Sequence, residues 1–236
     1  MTRLFAGFYP TRTPEGSFSD ERNVNLVESS DGVQLRTIIA GNFDDAARSN
    51  DSFTFPQLSP DGTLIAYNTL DNLVYVCRRD NGQIVSHFTE APPGGGLTGW
   101  ERPTWTPDQR IVVAGNLGTP GIYLSDAGWT TLTRFDPMIN QPFDAKVSPK
   151  GDAVAFEANN DIYTLKLDGT GLKQITSSNN EEKMPTWSAD GSAIAAFTGL
   201  DLLTVNADGT NLQTMSMGDP NVFFTFNTDQ AFDWTK

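Results

Sequence analysis

The chain repeats one layout of short strands and tight turns, and this repeat limits the folds open to it. The clearest copy runs from 181 to 216, with an aromatic at Trp187, a turn over 188–191, an apolar run over 193–197 and a second turn over 206–209. Glycine accepts the positive φ of a tight hairpin turn, and aspartate tolerates it beside glycine. The copy therefore predicts a four-stranded antiparallel meander. One such sheet cannot bury both of its faces, so it needs neighbours.

Alignment on the first turn reveals further copies of the same layout. One equivalent residue in each copy is taken as its register position. These residues are Pro56, Pro103, Ala145, Pro185 and Phe232, and they are separated by 47, 42, 40 and 47 residues. A period of this length suits four-stranded blades arranged around a central axis. The predicted blades span residues 53–89, 100–135, 142–176 and 182–216, with a fifth formed from about 1–40 plus 230–236.

The two ends of the chain supply the fifth copy between them. Residues 232–236 match the opening strand of a repeat, whereas 4–8, 24–27 and 33–38 match the other three strands. Pairing the C-terminal strand with the N-terminal ones removes two open sheet edges. We therefore expect an all-β, five-bladed β-propeller of four-stranded antiparallel blades, forming a single domain over 1–236 and closed by that pairing.

Two segments, 185–197 and 161–176, resemble the β-propeller repeats of the TolB family. Related repeats occur in the propellers of prolyl-oligopeptidase-type peptidases. The resemblance extends strongly from about 53 to 216 and more weakly to both ends. It implies a protein-binding propeller, because the TolB propeller is a periplasmic protein-binding module behind a separate N-terminal domain. We expect a TolB-like propeller without that N-terminal domain.

Aromatic residues at a shared register position are predicted to fill the spaces between blades. Trp105, Trp187 and Trp234 each lie two residues after a register position. Large aromatic side chains at equivalent positions of a repeat favour an inter-blade core over separate sugar platforms. Cys77, the single cysteine, falls in a predicted third strand, where a small buried hydrophobic role is expected.

Charge and hydropathy limit the partners and the location of the chain. The net charge of −13 argues against a nucleic-acid partner, because phosphate binding draws on lysine and arginine. The apolar runs are far shorter than the roughly 20 residues that span a bilayer. The N-terminus lacks the extended apolar core of a secretory signal. We expect no membrane span and a cytoplasmic location if Met1 is native, or a periplasmic or secreted one if a signal peptide was removed.

The longer connections indicate a candidate binding end. In a four-stranded blade the second-to-third and blade-to-blade connections share one end, and here they are the longer ones. Binding residues concentrate on long loops held by a rigid scaffold. These loops combine many carboxylates with aromatics, which suits a protein or basic peptide, a cationic ligand or a sugar; the alternative is that they only keep the protein soluble. The predicted binding residues are Trp100, Glu101, Arg102, Phe143, Asp144, Glu181, Glu182 and Asp233.

Catalytic and metal-binding signatures are mostly missing from the sequence. The single histidine, His87, falls in a predicted outer strand, so a serine or cysteine triad has no base near a central cavity. Histidine and cysteine counts exclude a zinc cluster, and 206–211 lacks the glycine and glutamate of a calcium loop. We predict no cofactor and no metal, and a non-catalytic binding or scaffold propeller whose partner is a protein or peptide.

One enzymatic alternative stays open at this point. Carboxylates are predicted at the mouths of innermost strands, and Asp144 and Glu182 are the weak catalytic candidates among them. Two such groups roughly 5–10 Å apart act as acid and base in glycoside hydrolysis. The alternative function is therefore a carbohydrate-active propeller, either a glycoside hydrolase or a lectin.

Overall fold

The computed structural model describes residues 3–8, 24–29, 36–39, 54–69, 73–88, 102–115, 120–199 and 201–216. Within these ranges the strands form four four-stranded antiparallel sheets and one three-stranded sheet, and there is no helix. The all-β class and the four-stranded antiparallel organisation predicted from the repeat are confirmed.

Each sheet is built from strands that follow one another along the chain. Sheet 1 contains β1 (Arg3–Phe8), β2 (Val24–Ser29) and β3 (Arg36–Ile39). Sheet 2 contains β4 (Thr54–Leu58), β5 (Leu64–Asn68), β6 (Val74–Arg78) and β7 (Ile84–Phe88). Sheet 3 contains β8 (Thr104–Trp105), β9 (Ile111–Gly115), β10 (Gly121–Ser125) and β11 (Leu132–Arg134). Sheet 4 contains β12 (Phe143–Val147), β13 (Ala153–Ala158), β14 (Asp161–Lys166) and β15 (Lys173–Gln174). Sheet 5 contains β16 (Glu182–Trp187), β17 (Ala193–Thr198), β18 (Asp201–Asn206) and β19 (Gln213–Met215).

The turn after the first strand of sheet 5 shows why the repeated sequence folds in this way. The carboxylate of Asp190 accepts hydrogen bonds from the Ser188 hydroxyl at 2.7 Å and the Ser192 amide at 3.0 Å. Gly191 follows with a φ of 71°, which glycine adopts without steric cost. The hydroxyl, the carboxylate and the glycine together close the hairpin, because a short side chain replaces backbone partners in tight turns.

The first strands of sheets 2, 4 and 5 share an irregularity at one position. Phe55, Asp144 and Met184 have φ values of 50°, 50° and 55°, and each lies one residue before a register position. The pairing register with the second strand shifts at the same place in all three sheets. A β-bulge of this kind redirects a side chain away from the regular alternation of the strand.

Consecutive sheets pack against one another through separate hydrophobic clusters. Between sheets 4 and 5 the fully buried residues include Ile162, Ile194 and Leu203. Burial of one such side chain contributes about 1.5–3 kcal/mol. Trp105 and Trp187 are each 9% exposed within clusters of this kind, which confirms the predicted inter-blade role for those two tryptophans.

Several predictions about single strands have definite outcomes. Cys77 is fully buried in β6, and His87 is exposed in β7, the outer strand of sheet 2, as predicted. Sheet 1 contains the three N-terminal strands. Trp234 and the C-terminal strand 232–236 lie outside the described residues, so the fifth four-stranded blade and its closure stay predictions.

Candidate functional site

Three side chains at one register position meet where the first strands of sheets 2, 3 and 4 lie side by side. The Arg102 guanidinium Nε lies 3.0 Å from Asp144 Oδ1, and the two side chains are 5% and 12% exposed. The guanidinium carbon also lies 4.4 Å from the ring centroid of Phe55. This inner cluster thus connects three consecutive sheets by a buried ion pair and a cation–π contact.

Burial determines the electrostatics of the inner cluster. Removal from water raises the pKa of Asp144, against the opposing positive charges of Arg102, Lys146 and Lys183 and a hydrogen bond from the Met184 amide. Because a buried charge is costly without its partner, the Arg102–Asp144 pair holds its two sheets together only while both charges are present. The cluster therefore has the properties of a structural link.

The adjacent residues Glu181 and Glu182 have different environments. Glu182 is 2% exposed and accepts a hydrogen bond from the Thr176 hydroxyl, whose oxygen accepts the Ile162 amide at 2.8 Å. Burial raises the pKa of Glu182. Glu181 is exposed on the surface and pairs with Lys183 at 2.9 Å. Of these two predicted binding residues, only Glu181 is accessible to a partner in this conformation.

The two catalytic candidates are engaged in separate interactions. Asp144 lies one residue before its register position and pairs with Arg102, whereas Glu182 lies three residues before its own and pairs with Thr176. Nothing in this geometry favours the carbohydrate alternative. Among the described residues there is also no group of three or more histidine, cysteine, aspartate or glutamate side chains suited to a metal ion.

The connection between sheets 3 and 4, residues 135–142, is anchored by one carboxylate, and we call it the Asp136 loop. The Asp136 side chain is fully buried and accepts the amides of Ile122 at 2.7 Å and Ile139 at 2.8 Å. Arg134 donates two further hydrogen bonds to it, each 2.8 Å long. Burial alone would raise the pKa of Asp136, but these four hydrogen bonds and the charge of Arg134 outweigh burial and lower it.

An exposed apolar side chain lies inside this anchored loop. Met138 is 79% exposed and has a φ of 66°. It lies two residues after Asp136 and one before Ile139, so both of its flanks are tied to the same carboxylate. The loop consequently presents Met138 to solvent on a fixed backbone.

The remaining predicted binding residues divide into two groups. Phe143 is half-buried at the start of β12, where it pairs with Glu157 of β13. Trp100, Glu101 and Asp233 lie outside the described residues. Phe55 was not among the predicted site residues, although it contacts Arg102 and both residues lie one residue before a register position. That shared offset is the signal that would have brought them together.

Four-stranded antiparallel sheets that pack in sequential order define the fold as a β-propeller. Its structure is similar to TolB from Acinetobacter baumannii, with a TM-score of 0.64, 19% identity and coverage of 91% of this chain and 52% of that one. It is also similar to a putative TolB from Agrobacterium tumefaciens (TM-score 0.62, 18% identity, 88% and 79% coverage). A chain of the nidogen/laminin complex gives a TM-score of 0.64 at 12% identity, with 92% and 78% coverage. The protein has a TolB-type propeller fold.

Similarity in sequence is confined to a shorter region. The chain is 35% identical over 79 residues to dipeptidyl-peptidase 5 of Porphyromonas gingivalis, which is 32% of this chain and 11% of that enzyme. The chain spans 52% of the A. baumannii TolB. No family model matches the sequence. In the part of the chain that the structure describes, no helix is long and apolar enough to cross a membrane.

Proposed function

We propose that the protein is a non-catalytic propeller that binds a protein partner at the end carrying its long connections. The observation that carries this proposal is the Asp136 loop, in which a buried carboxylate fixes an exposed Met138. A loop that is already ordered loses little conformational freedom when it binds. Methionine is enriched in protein interfaces relative to the rest of the surface.

Charge supports a basic region on the partner. The chain carries a net charge of −13, and Glu181 lies on another of the long connections with its side chain 53% exposed. Opposite charges on two partners accelerate their encounter and fix their orientation. Trp100, Glu101 and Asp233 belong to the same set of connections and are proposed as further contacts.

The similar structures support a binding role through their own descriptions. One of the three is a chain in a nidogen/laminin complex, so a propeller of this fold takes part in an assembly of two proteins. The buried environment of Glu182 and the ion pair of Asp144 are consistent with a non-catalytic function. Asp144 pairs with Arg102, which precedes β8, and Glu182 accepts a hydrogen bond from Thr176, which follows β15.

The proposal can be tested by identifying the partner and measuring how substitution of Met138 changes its affinity. The partner would first be captured on the immobilised protein and identified by cross-linking, and its affinity would then be measured with purified components. We expect Met138→Asp to weaken binding at least tenfold, as for other central interface residues. Leu212→Asp is the matched control, since Leu212 is an apolar residue, 48% exposed, in the connection between β18 and β19 of sheet 5. Equal affinity for the Met138 variant and the wild type would contradict the proposed surface.

We also propose that residues 232–236 complete sheet 1 as its fourth strand, giving five blades in a single domain. Support comes from sheet 1, which has three described strands where every other sheet has four. In this arrangement Trp234 occupies the register position of Trp105 and Trp187. Trp234→Ala is expected to lower the free energy of unfolding by about 3–5 kcal/mol in a urea titration. An unchanged transition would exclude this closure.

A further inference from the structure

A cavity of about 250 Å³ lies between sheets 4 and 5, at the end of the molecule with the tight turns. Trp187 is among its lining residues, and Lys150, Lys166 and Lys173 line it from three separate segments. We call it the lysine cavity. We propose that it binds a compact polyvalent anion, of the class formed by phosphate groups and small di- or tricarboxylates. No residue of the Asp136 loop lines this site, and it is independent of the proposed function.

The charge of the cavity is unusual for this chain. The whole sequence contains six lysines and a net charge of −13, yet three of the lysines line this one space. Among the described lining residues Asp152 is the one carboxylate, and it accepts a hydrogen bond from the Ser148 hydroxyl at 2.6 Å. The lining therefore carries three positive charges against one negative charge, an imbalance that favours an anionic ligand.

Lys150 reverses the charge found at the same position of the other first turns. The equivalent residues are Asp61, Asp108 and Asp190, and each accepts a hydrogen bond from a hydroxyl two residues earlier. In sheet 4 the corresponding hydroxyl bonds instead to Asp152, two residues after Lys150. The turn closes without needing a lysine at that position, so the folding of the repeat does not explain Lys150.

The other two lysines have no charged counterparts in the following blade, although Arg78 occupies the position of Lys166 in sheet 2. The residues of sheet 5 equivalent to Lys166 and Lys173 are Asn206 and Gln213, as the pairing registers of the two sheets show. Those residues carry no charge. The three lysines thus coincide in one cleft and have no counterparts in the following blade, where the first of the three positions is an aspartate.

Carboxylates near the cavity leave the ammonium groups able to bind a ligand. Asp168 and Asp208 attract Lys166 and Lys173 respectively, but the Oδ1 atom of each accepts the amide and hydroxyl of the threonine two residues later. Lys173 donates one hydrogen bond, 2.6 Å long, to the Asp208 carbonyl across the cleft. An ammonium group has three donors, so further hydrogen bonds from Lys173 remain available.

Size and charge together determine the class of ligand. Pockets for drug-sized ligands usually enclose about 300–1,000 Å³, and this cavity is smaller. A monovalent anion would leave most of the lysine charge uncompensated, whereas a phosphate group or citrate presents several acceptor oxygens to ammonium donors.

The test uses inorganic phosphate and citrate as separate probes at constant ionic strength. Binding would be followed by calorimetry and by the Trp187 indole resonance, which Trp187→Phe assigns. Lys150→Asp places in this turn the residue of the other three turns, so it carries little risk to folding. Lys166→Gln is the second variant. Lys183→Gln is the matched control, because Lys183 is an exposed lysine of β16 that is not among the lining residues.

Saturable binding of either probe with a shift of the Trp187 resonance is expected, and the stronger probe distinguishes a phosphate ligand from a carboxylate one. We expect Lys166→Gln to weaken probe binding about fivefold, which corresponds to the loss of one partly exposed charge pair. Lys150→Asp should weaken probe binding more. Lys183→Gln should change it less than about twofold. Absence of saturable binding, or equal weakening by the control, would overturn the proposed site.

Discussion

The indole N–H of Trp187 donates a hydrogen bond to the backbone carbonyl of Lys146, 2.9 Å away on the preceding sheet. Trp105 makes the equivalent bond to the carbonyl of Gln57 at 3.0 Å. In both cases the tryptophan lies two residues after the register position of its own blade. The carbonyl that it contacts lies one residue after the register position of the preceding blade. The repeat therefore includes a polar contact between blades in addition to their apolar packing.

Loss of this hydrogen bond should weaken the contact between sheets 4 and 5. Trp187→Phe leaves the Lys146 carbonyl without the indole donor and removes part of a buried ring. We expect the free energy of unfolding in urea to fall by about 2 kcal/mol, the range for an unsatisfied buried polar group. Trp105→Phe should give a similar loss. A decrease below about 0.5 kcal/mol in both variants would contradict the role given to the indole bonds.

A matched pair of glycines tests how closely neighbouring turns approach. Gly151 and Gly191 have φ values of 70° and 71° in equivalent turns. A Cβ added at Gly151 would lie 2.4 Å from Cδ of Pro107, whereas one at Gly191 would lie 3.6 Å from Cδ of Pro149. Both alanine variants should lose about 1–2 kcal/mol from the left-handed backbone, and Gly151→Ala should lose a further 1–3 kcal/mol from the clash.

Pro107→Ala provides the control for that comparison. It removes the ring atoms that a Cβ at position 151 would meet, so it should recover much of the additional loss in a double variant with Gly151→Ala. Equal melting temperatures for Gly151→Ala and Gly191→Ala would show that the two turns do not contact the preceding blade differently.

Separating the buried ion pair should destabilise the protein more than replacing it. Arg102→Met or Asp144→Leu alone leaves one buried charge without its partner and is expected to reduce the free energy of unfolding by about 3–5 kcal/mol. The double variant removes both charges and should lose distinctly less than the sum of the single losses. A double-mutant cycle in urea measures the coupling, and additive losses would contradict a direct interaction.

Asp136 should contribute to the loss of stability in acid. Its pKa is lowered in the folded state, so its contribution is present above the unfolded value near 4 and is lost as the pH falls through the folded value. The pKa values of Asp61 and Asp126, each about 2, act in the same direction. Asp144 and Glu182 act oppositely, because their raised pKa values favour protonation in the folded state.

Asp136→Asn separates this contribution from the others. The variant should be about 3–5 kcal/mol less stable at pH 7, because Arg134 loses its buried partner, and its stability should fall less steeply than that of the wild type between about pH 4 and 2. Asp80→Asn, at an exposed turn residue, is the control. Parallel pH profiles for Asp136→Asn and the wild type would contradict the lowered pKa.

The extent to which the sequence predicts this structure depends on the range of each interaction. A turn such as 188–192 is closed by an aspartate, a serine hydroxyl and a glycine that lie within five residues of one another. Such turns, and the strands around them, can therefore be predicted directly from the sequence. The environment of Glu182 cannot be predicted from the sequence in this way, because a bulge after Lys183 interrupts the alternation of β16. Strand periodicity alone gives no means of distinguishing the buried Glu182 from the exposed Glu181.

Contacts between blades were partly readable from the repeat. Aligning the copies places Arg102 and Asp144 at one offset, so the repeat brings them close together, although their ion pair was not predicted. The anchoring by Asp136 has a counterpart in Thr176, since each accepts the amide of a residue 14 positions earlier. The lysine cavity was not anticipated. Its three lysines come from separate segments of sheet 4, and its lining is completed by Trp187, Gly191 and Ala207 of sheet 5, which only the packing of the two sheets supplies.

The most direct test of the proposed function is site-specific photo-cross-linking in the cells that produce the protein. A photoreactive amino acid would be placed at position 138 and, in a separate variant, at position 212 in the connection between β18 and β19 of sheet 5. We expect position 138 to yield one reproducible cross-linked protein that position 212 does not yield. Cross-linking from position 138 that is no stronger than from position 212 would contradict partner binding at the Asp136 loop.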